Sequence, residues 1–212
     1  MQRLVACSTM PEMKLRFRYN SPVILSFAIV AALVLLIDQI SGGVFIRTFF
    51  TLYPTFTPSS PLSWLRLFTY VIGHASWNHL ISNFSFILLI GPVLEEKYGS
   101  LPLLLMMLVT AVATAILNIL IVRTGLYGAS GIVFMLILLS SFTNIRQGEI
   151  PVTFVLIVAL YLVREFVNAL TPSTVSELAH IVGGIIGGLF GFIISRSEGA
   201  RVLPEEKPAA KE

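Results

Sequence analysis

Ser130 and His180 are the residues of this chain best suited to covalent chemistry, and each stands at the start of a long apolar run. Ser130 lies in Gly128-Ala129-Ser130-Gly131, and His180 in Ala179-His180-Ile181-Val182-Gly183. A hydroxyl beside an imidazole is the smallest set of groups that supports nucleophilic catalysis, because the base must take the hydroxyl proton as attack occurs. Polar side chains at membrane depth are costly unless they are used or satisfied. The pair therefore points to a serine hydrolase working inside the bilayer. His79 and Asn83 follow a helical i, i+4 spacing, so both emerge on one face. An imidazole N–H and an amide NH₂ are competent donors to an oxyanion, alongside the backbone N–H of Ser130. No aspartate or glutamate occupies a comparable position, which leaves a Ser–His dyad without a third member. The histidines lack the carboxylate and cysteine companions of a metal centre, so neither metal nor cofactor is expected.

These groups need a scaffold, and composition says which kind. Of 212 residues, 56% are hydrophobic and 12% charged, about half the charge of a soluble domain. The expected class is an all-α polytopic membrane protein. Six apolar stretches, 22–40, 77–94, 101–122, 129–143, 151–169 and 174–195, are long enough or nearly so to cross roughly 30 Å of hydrocarbon. Residues 1–21 and 196–212 read as short charged tails around a core of 22–195. An alternating topology puts ten basic residues on one side and four (Arg47, Arg66, Arg123 and Arg164) on the other. Both termini are then cytoplasmic. The net charge of +3 follows from this topology and gives no reason to expect nucleic acid.

With that orientation the second, fourth and sixth spans all run from outside to inside. At about 1.5 Å per residue, His79, Asn83, Ser130 and His180 lie roughly 18–24 Å from the cytoplasmic ends of their helices. They share one layer below the outer surface. The fourth span covers only about 22 Å, so its start must lie inside the membrane, reached by a water-filled hollow. Gly125 and Gly128 suit that non-helical descent, where positive φ is expected. Ser130 then falls in a first helical turn, where unpaired N–H groups favour negative charge. His180 shares a face with Gly183, Gly184 and Gly187, and small residues at this spacing let helices approach closely. Segment 41–76 is rich in aromatics and broken by prolines, which reads as a structured element lying in the outer leaflet. His74, just before the second span, is expected nearer the surface, in either a structural or a site-supporting role.

The pattern resembles the rhomboid intramembrane serine proteases. Arg66-Leu67-Phe68-Thr69-Tyr70 followed by His74, His79 and Asn83 is similar to the family's approach to its second helix, and Gly91, Glu95 and Gly99-Ser100 to the end of that helix. The Gly128–Gly131 and Ala179–Gly187 segments are similar to its two catalytic motifs. The resemblance implies a six-helix bundle with a membrane-embedded first loop and no cofactor. It implies Ser130 as nucleophile, His180 as general base, and His79 and Asn83 as oxyanion donors. Gly128 and Phe134 would support the site, Phe134 standing where a tyrosine is common and able to pack on His180. The family's Trp-Arg pair is here Trp64-Leu65-Arg66. Substrates would be single-span membrane proteins cut near the outer face of a prokaryotic cell membrane. The competing readings are an inactive relative that escorts membrane clients, and a small channel or transporter.

Overall fold

The computed structural model describes residues 19–143, helical positions 152, 155, 156, 159, 160 and 163, and residues 181–190 and 193. Its elements are helical: α1 (Pro22–Ile40), α2 (Val44–Phe49), α3 (Pro61–Thr69), α4 (Trp77–Tyr98), α5 (Ser100–Leu117) and α6 (Ser130–Thr143). A π-helical turn, Asn118–Val122, extends α5. Among the described residues, three stretches are long and apolar enough to span a membrane, namely Pro22–Ile40, Trp77–Tyr98 and Ser100–Val122. They coincide with the first three expected spans, the second continuing to Tyr98. The fourth is the short apolar helix α6, as its sequence length requires. Of the fifth, only one set of positions is described, and Val152, Val155, Leu156, Leu160 and Val163 are all exposed there. Their helical spacing makes them one lipid-compatible stripe. The sixth is described over Ile181–Phe190.

Buried α6 forms the middle of the bundle. Ile132, Met135, Leu136 and Leu139 are each at most 2% exposed, and the helix packs on both α4 and α5. A helix that is apolar all round belongs either in lipid or, as here, among other elements of the bundle. α1 lies against α4, where Gly91 permits close approach: a methyl group there would stand 2.6 Å from Ile24 Cδ1. Phe27 and Phe84 close the same seam with ring centroids 5.1 Å apart.

The start of α1, the end of α4 and the start of α5 are tied by one carboxylate. α1 begins with Pro22, which has no N–H to leave unpaired and whose fixed φ suits the first helical position. Glu95, only 3% exposed, accepts from the next two amides, Val23 N–H and Ile24 N–H, both at 3.0 Å. It also accepts from Ser100 Oγ at 2.7 Å, at the start of α5. Gly99 makes the α4–α5 corner at φ +87°, a conformation that favours glycine. Glu95→Ala leaves three donors without an acceptor, each costing about 1–3 kcal/mol when buried. The variant should melt well below wild type in detergent, with Glu95→Gln in between. An unchanged melting temperature for Glu95→Ala would show that water replaces the carboxylate there.

Segment 41–76 is folded. Asp38 Oδ1 turns back to accept from Ile46 N–H at 2.7 Å, fixing the start of α2. Arg66 donates from Nε and Nη2 to the Thr48 carbonyl at 2.9 and 2.6 Å and lies over the Tyr53 ring. Trp64 donates from Nε1 to the Pro58 carbonyl and meets Phe56 edge-on. Trp64, Leu65 and Phe68 remain exposed, an apolar surface suited to hydrocarbon.

Candidate active site

The first turn of α4 is built by a serine cap. Ser76 Oγ accepts from the His79 backbone N–H at 3.2 Å, satisfying one of the unpaired donors of the helix start. The His79 ring folds back so that Nδ1 accepts from Ala75 N–H at 3.4 Å. In the neutral ring this leaves the proton on Nε2. One turn on, buried Asn83 has its Nδ2 3.1 Å from His74 Nε2. His74 is itself 1% exposed, and its Nδ1 donates to the Ile72 carbonyl at 3.0 Å. His74, expected before the second span in a structural or site-supporting role, is enclosed by protein. The chain turns inward ahead of α4, and the ring lies edge-on to His79 with centroids 4.9 Å apart.

Burial lowers the His74 pKa from 6.5 to about 4; the Ile72 carbonyl opposes this, and the neighbouring His79 adds to it. Because the folded value lies below the free one, the unfolded chain binds the proton more readily. The associated stability is complete above about pH 6.5 and is lost as pH falls toward 4, a loss on the order of 3 kcal/mol. Melting temperature should fall over this window, and less steeply in His74→Gln. Parallel slopes for the two proteins would remove His74 as the cause.

The descent to Ser130 is pinned at every step. The π-helical turn ends at Arg123, in the left-handed region at φ +57°, with Arg123 N–H on the Asn118 carbonyl. Asn118 Nδ2 holds the Thr124 carbonyl at 2.8 Å. Leu126 exchanges two 2.9 Å backbone hydrogen bonds with Leu52, and Gly128 N–H donates to the Tyr70 carbonyl at 2.9 Å. Gly128 has φ +123°, as expected, whereas Gly125 is not among the positive-φ residues. Arg123 takes that role instead, because the reversal occurs where the π-turn ends.

Gly128 also has no room for a side chain. A methyl group there would lie 2.8 Å from His79 Cε1, 2.9 Å from His79 Nε2 and 3.8 Å from Asn83 Nδ2. The backbone two residues before Ser130 therefore rests directly on the two expected donors. α6 begins at half-buried Ser130, and its first intrahelical bond runs from Val133 N–H to the Ala129 carbonyl. The N–H groups ahead of Val133 have no acceptor within the helix. Nε2 of His79 and Nδ2 of Asn83 thus lie on the Gly128 side of the chain, two residues ahead of the helix start that carries Ser130 and these amides.

The glycine face of Ile181–Phe190 lies on α6. A methyl group at Gly183 would fall on the backbone of Gly131, and one at Gly187 on that of Met135. Phe134 is half-buried, and its Cδ1 would be 3.6 Å from a methyl group at Gly184. His180 itself lies outside the described residues. Three positions later in sequence, Gly183 meets the residue that follows Ser130.

Sequence comparison fits this arrangement. The Rhomboid domain family matches residues 61–197, most of the chain and all of the site. This chain belongs to the rhomboid family. It is 26% identical over 164 residues to the chloroplastic rhomboid-like protein 11 of Arabidopsis thaliana, covering 70% of this chain and 59% of that protein. It is 24% identical over 147 residues to the rhomboid protease GlpG of Haemophilus influenzae, covering 68% of this chain and 76% of that protein. The chain thus spans less than two thirds of the length of the Arabidopsis relative. As a rhomboid it is an integral membrane protein of a family that includes intramembrane proteases.

Within this rhomboid the structure brings together His74, His79, Asn83, Gly128 and Ser130, with Phe134 one turn into α6. Sequence reasoning missed the backbone contacts of Tyr70 and Leu52 with the loop before α6. Main-chain hydrogen bonds leave no residue-type signal, and only the crowding of aromatics around 49–70 hinted that this segment had work to do. Tyr70 is also locked from the other side, its hydroxyl donating to the Ala111 carbonyl of α5 at 3.0 Å.

Proposed function

We propose that this rhomboid is an intramembrane serine endopeptidase that cuts single-span membrane proteins near the outer face, with Ser130 as nucleophile and His180 as general base. In the first step His180 takes the Ser130 Oγ proton as the oxygen attacks the scissile carbonyl carbon. The resulting oxyanion is met by His79 Nε2–H, an Asn83 amide N–H and the N–H of Ser130. His180 then passes its proton to the leaving amine as the C–N bond breaks, giving an acyl-enzyme. Water attacks that ester with His180 again the base, which releases the acid and restores Ser130. The observation that most supports this reading is the seating of Gly128 against His79 and Asn83, which sets two side-chain donors beside the first turn bearing the nucleophile. The glycine contact between Ile181–Phe190 and α6 supports the pairing of His180 with Ser130, since His180 precedes Gly183 and Gly187 in sequence by three and seven residues.

Both termini on the cytoplasmic side complete the reading, supported by the distribution of basic residues. The test is purified protein in vesicles with a single-span reporter whose fragments are mapped by mass spectrometry. Cleavage within the outer third of the span, blocked by a fluorophosphonate that labels Ser130, is the expected result. Tight reporter binding with neither cleavage nor labelling would favour the client-escort reading.

A further inference from the structure

Asn83 is useful as a donor only if the correct end of its amide faces Ser130. The last torsion of an asparagine is broad and nearly two-fold, so the side chain alone does not choose. Here the choice is made in two steps. The Ile72 carbonyl, 3.0 Å from His74 Nδ1, can only accept, so Nδ1 carries the ring proton. A neutral ring then offers a lone pair at Nε2, and the group 3.1 Å away must donate to it. Asn83 therefore turns its NH₂ toward His74. The same nitrogen is 3.8 Å from where a methyl group on Gly128 would stand, so the NH₂ end of the amide lies on the Gly128 side, two residues before Ser130. The His74 ring is wedged against His79 and Phe84, with centroid distances of 4.9 and 5.7 Å, and at 1% exposure it has no space to turn.

We propose that His74 is a positioning residue for the reaction: by accepting one amide proton of Asn83 it holds the other toward the forming oxyanion. The inference rests on the reading of Asn83 as an oxyanion donor. Burial keeps the His74 ring neutral at ordinary pH, the state in which Nε2 accepts. Without that acceptor the amide is free to turn its carbonyl oxygen to the site, which repels the developing charge.

Turnover of a single-span reporter by His74→Phe, Asn83→Ala and the double variant separates the possibilities, with kcat and KM measured apart. Each single variant should lose kcat on the order of 10²-fold with KM little changed, as for removal of one oxyanion donor. The double variant should be no slower than Asn83→Ala, because the two act as one unit. His74→Gln, whose carbonyl oxygen reaches the place of Nε2, should recover most of the turnover. His74→Asn, too short to reach Asn83, should not. These two variants carry the test if His74→Phe fails to fold. Losses that multiply in the double variant, or equal turnover by His74→Gln and His74→Asn, would overturn the positioning role alone. Wild-type turnover by Asn83→Ala would instead overturn the donor role on which it rests.

Discussion

Purified Ser130→Ala is expected to leave a single-span reporter uncut over times in which wild type consumes it, while folding and inserting normally. His180→Ala should do the same, and the double variant should be no worse than either alone. A nucleophile and its base contribute as one unit, so the first loss removes nearly all that the pair supplies. Both single losses should exceed those from Asn83→Ala, which leaves two donors to the oxyanion in place. The measurement is the initial rate of fragment release, with a melting curve on each variant to establish folding. Robust cleavage by Ser130→Ala would remove Ser130 as the nucleophile, whatever the family resemblance implies.

The second large effect is expected at Gly183. A methyl group there meets Gly131 C at 2.7 Å and Gly131 Cα at 2.9 Å, and one at Gly187 meets Met135 Cα at 2.8 Å. These are backbone atoms of α6, which cannot move aside as a side-chain end does. At Gly184 the nearest atom is instead Leu138 Cδ1 at 3.0 Å, the tip of a flexible chain. Gly183→Ala and Gly187→Ala should therefore force the two helices apart, with destabilisation of about 1–3 kcal/mol or more. Turnover should fall further than stability, because a displacement of about 1 Å at a catalytic pair costs on the order of 10²-fold. Gly184→Ala should stay near wild type in both. Equal turnover by Gly183→Ala and Gly184→Ala would show that this helix contact does not set the catalytic geometry.

Much of this site could be read from residue spacing. The i, i+4 placement of His79 and Asn83 survives as one helix face because α4 is regular there, and the glycine series at 183–187 meets α6 because small residues at that period can do little else in a membrane. From the sequence Ser130 is expected in the first turn of the short fourth span, and α6 begins at it. His74 was harder to place, since the stretch between α3 and α4 has no periodicity and its path depends on main-chain contacts of Tyr70 and Gly73. For the same reason Gly125 drew the expectation of a positive φ that Arg123 carries. A reversal after a π-helical turn is set by where that turn ends, which residue type does not announce. The pairing of Asn83 with His74 joins a helix to an irregular segment and has no linear signature at all.

The two hydrogen bonds between Leu52 and Leu126, with the one from Gly128 N–H to the Tyr70 carbonyl, give the molecule a load path. The first loop presents Trp64, Leu65 and Phe68 outward, and the same loop is hydrogen-bonded to the segment that leads into Ser130. Lateral pressure or thickness mismatch acting on those side chains is expected to reach, through two points of backbone, the residues just before the proposed nucleophile. On the proposed function, the bilayer becomes a mechanical component of the site, and lipid chain length is expected to act on rate with protein and substrate unchanged.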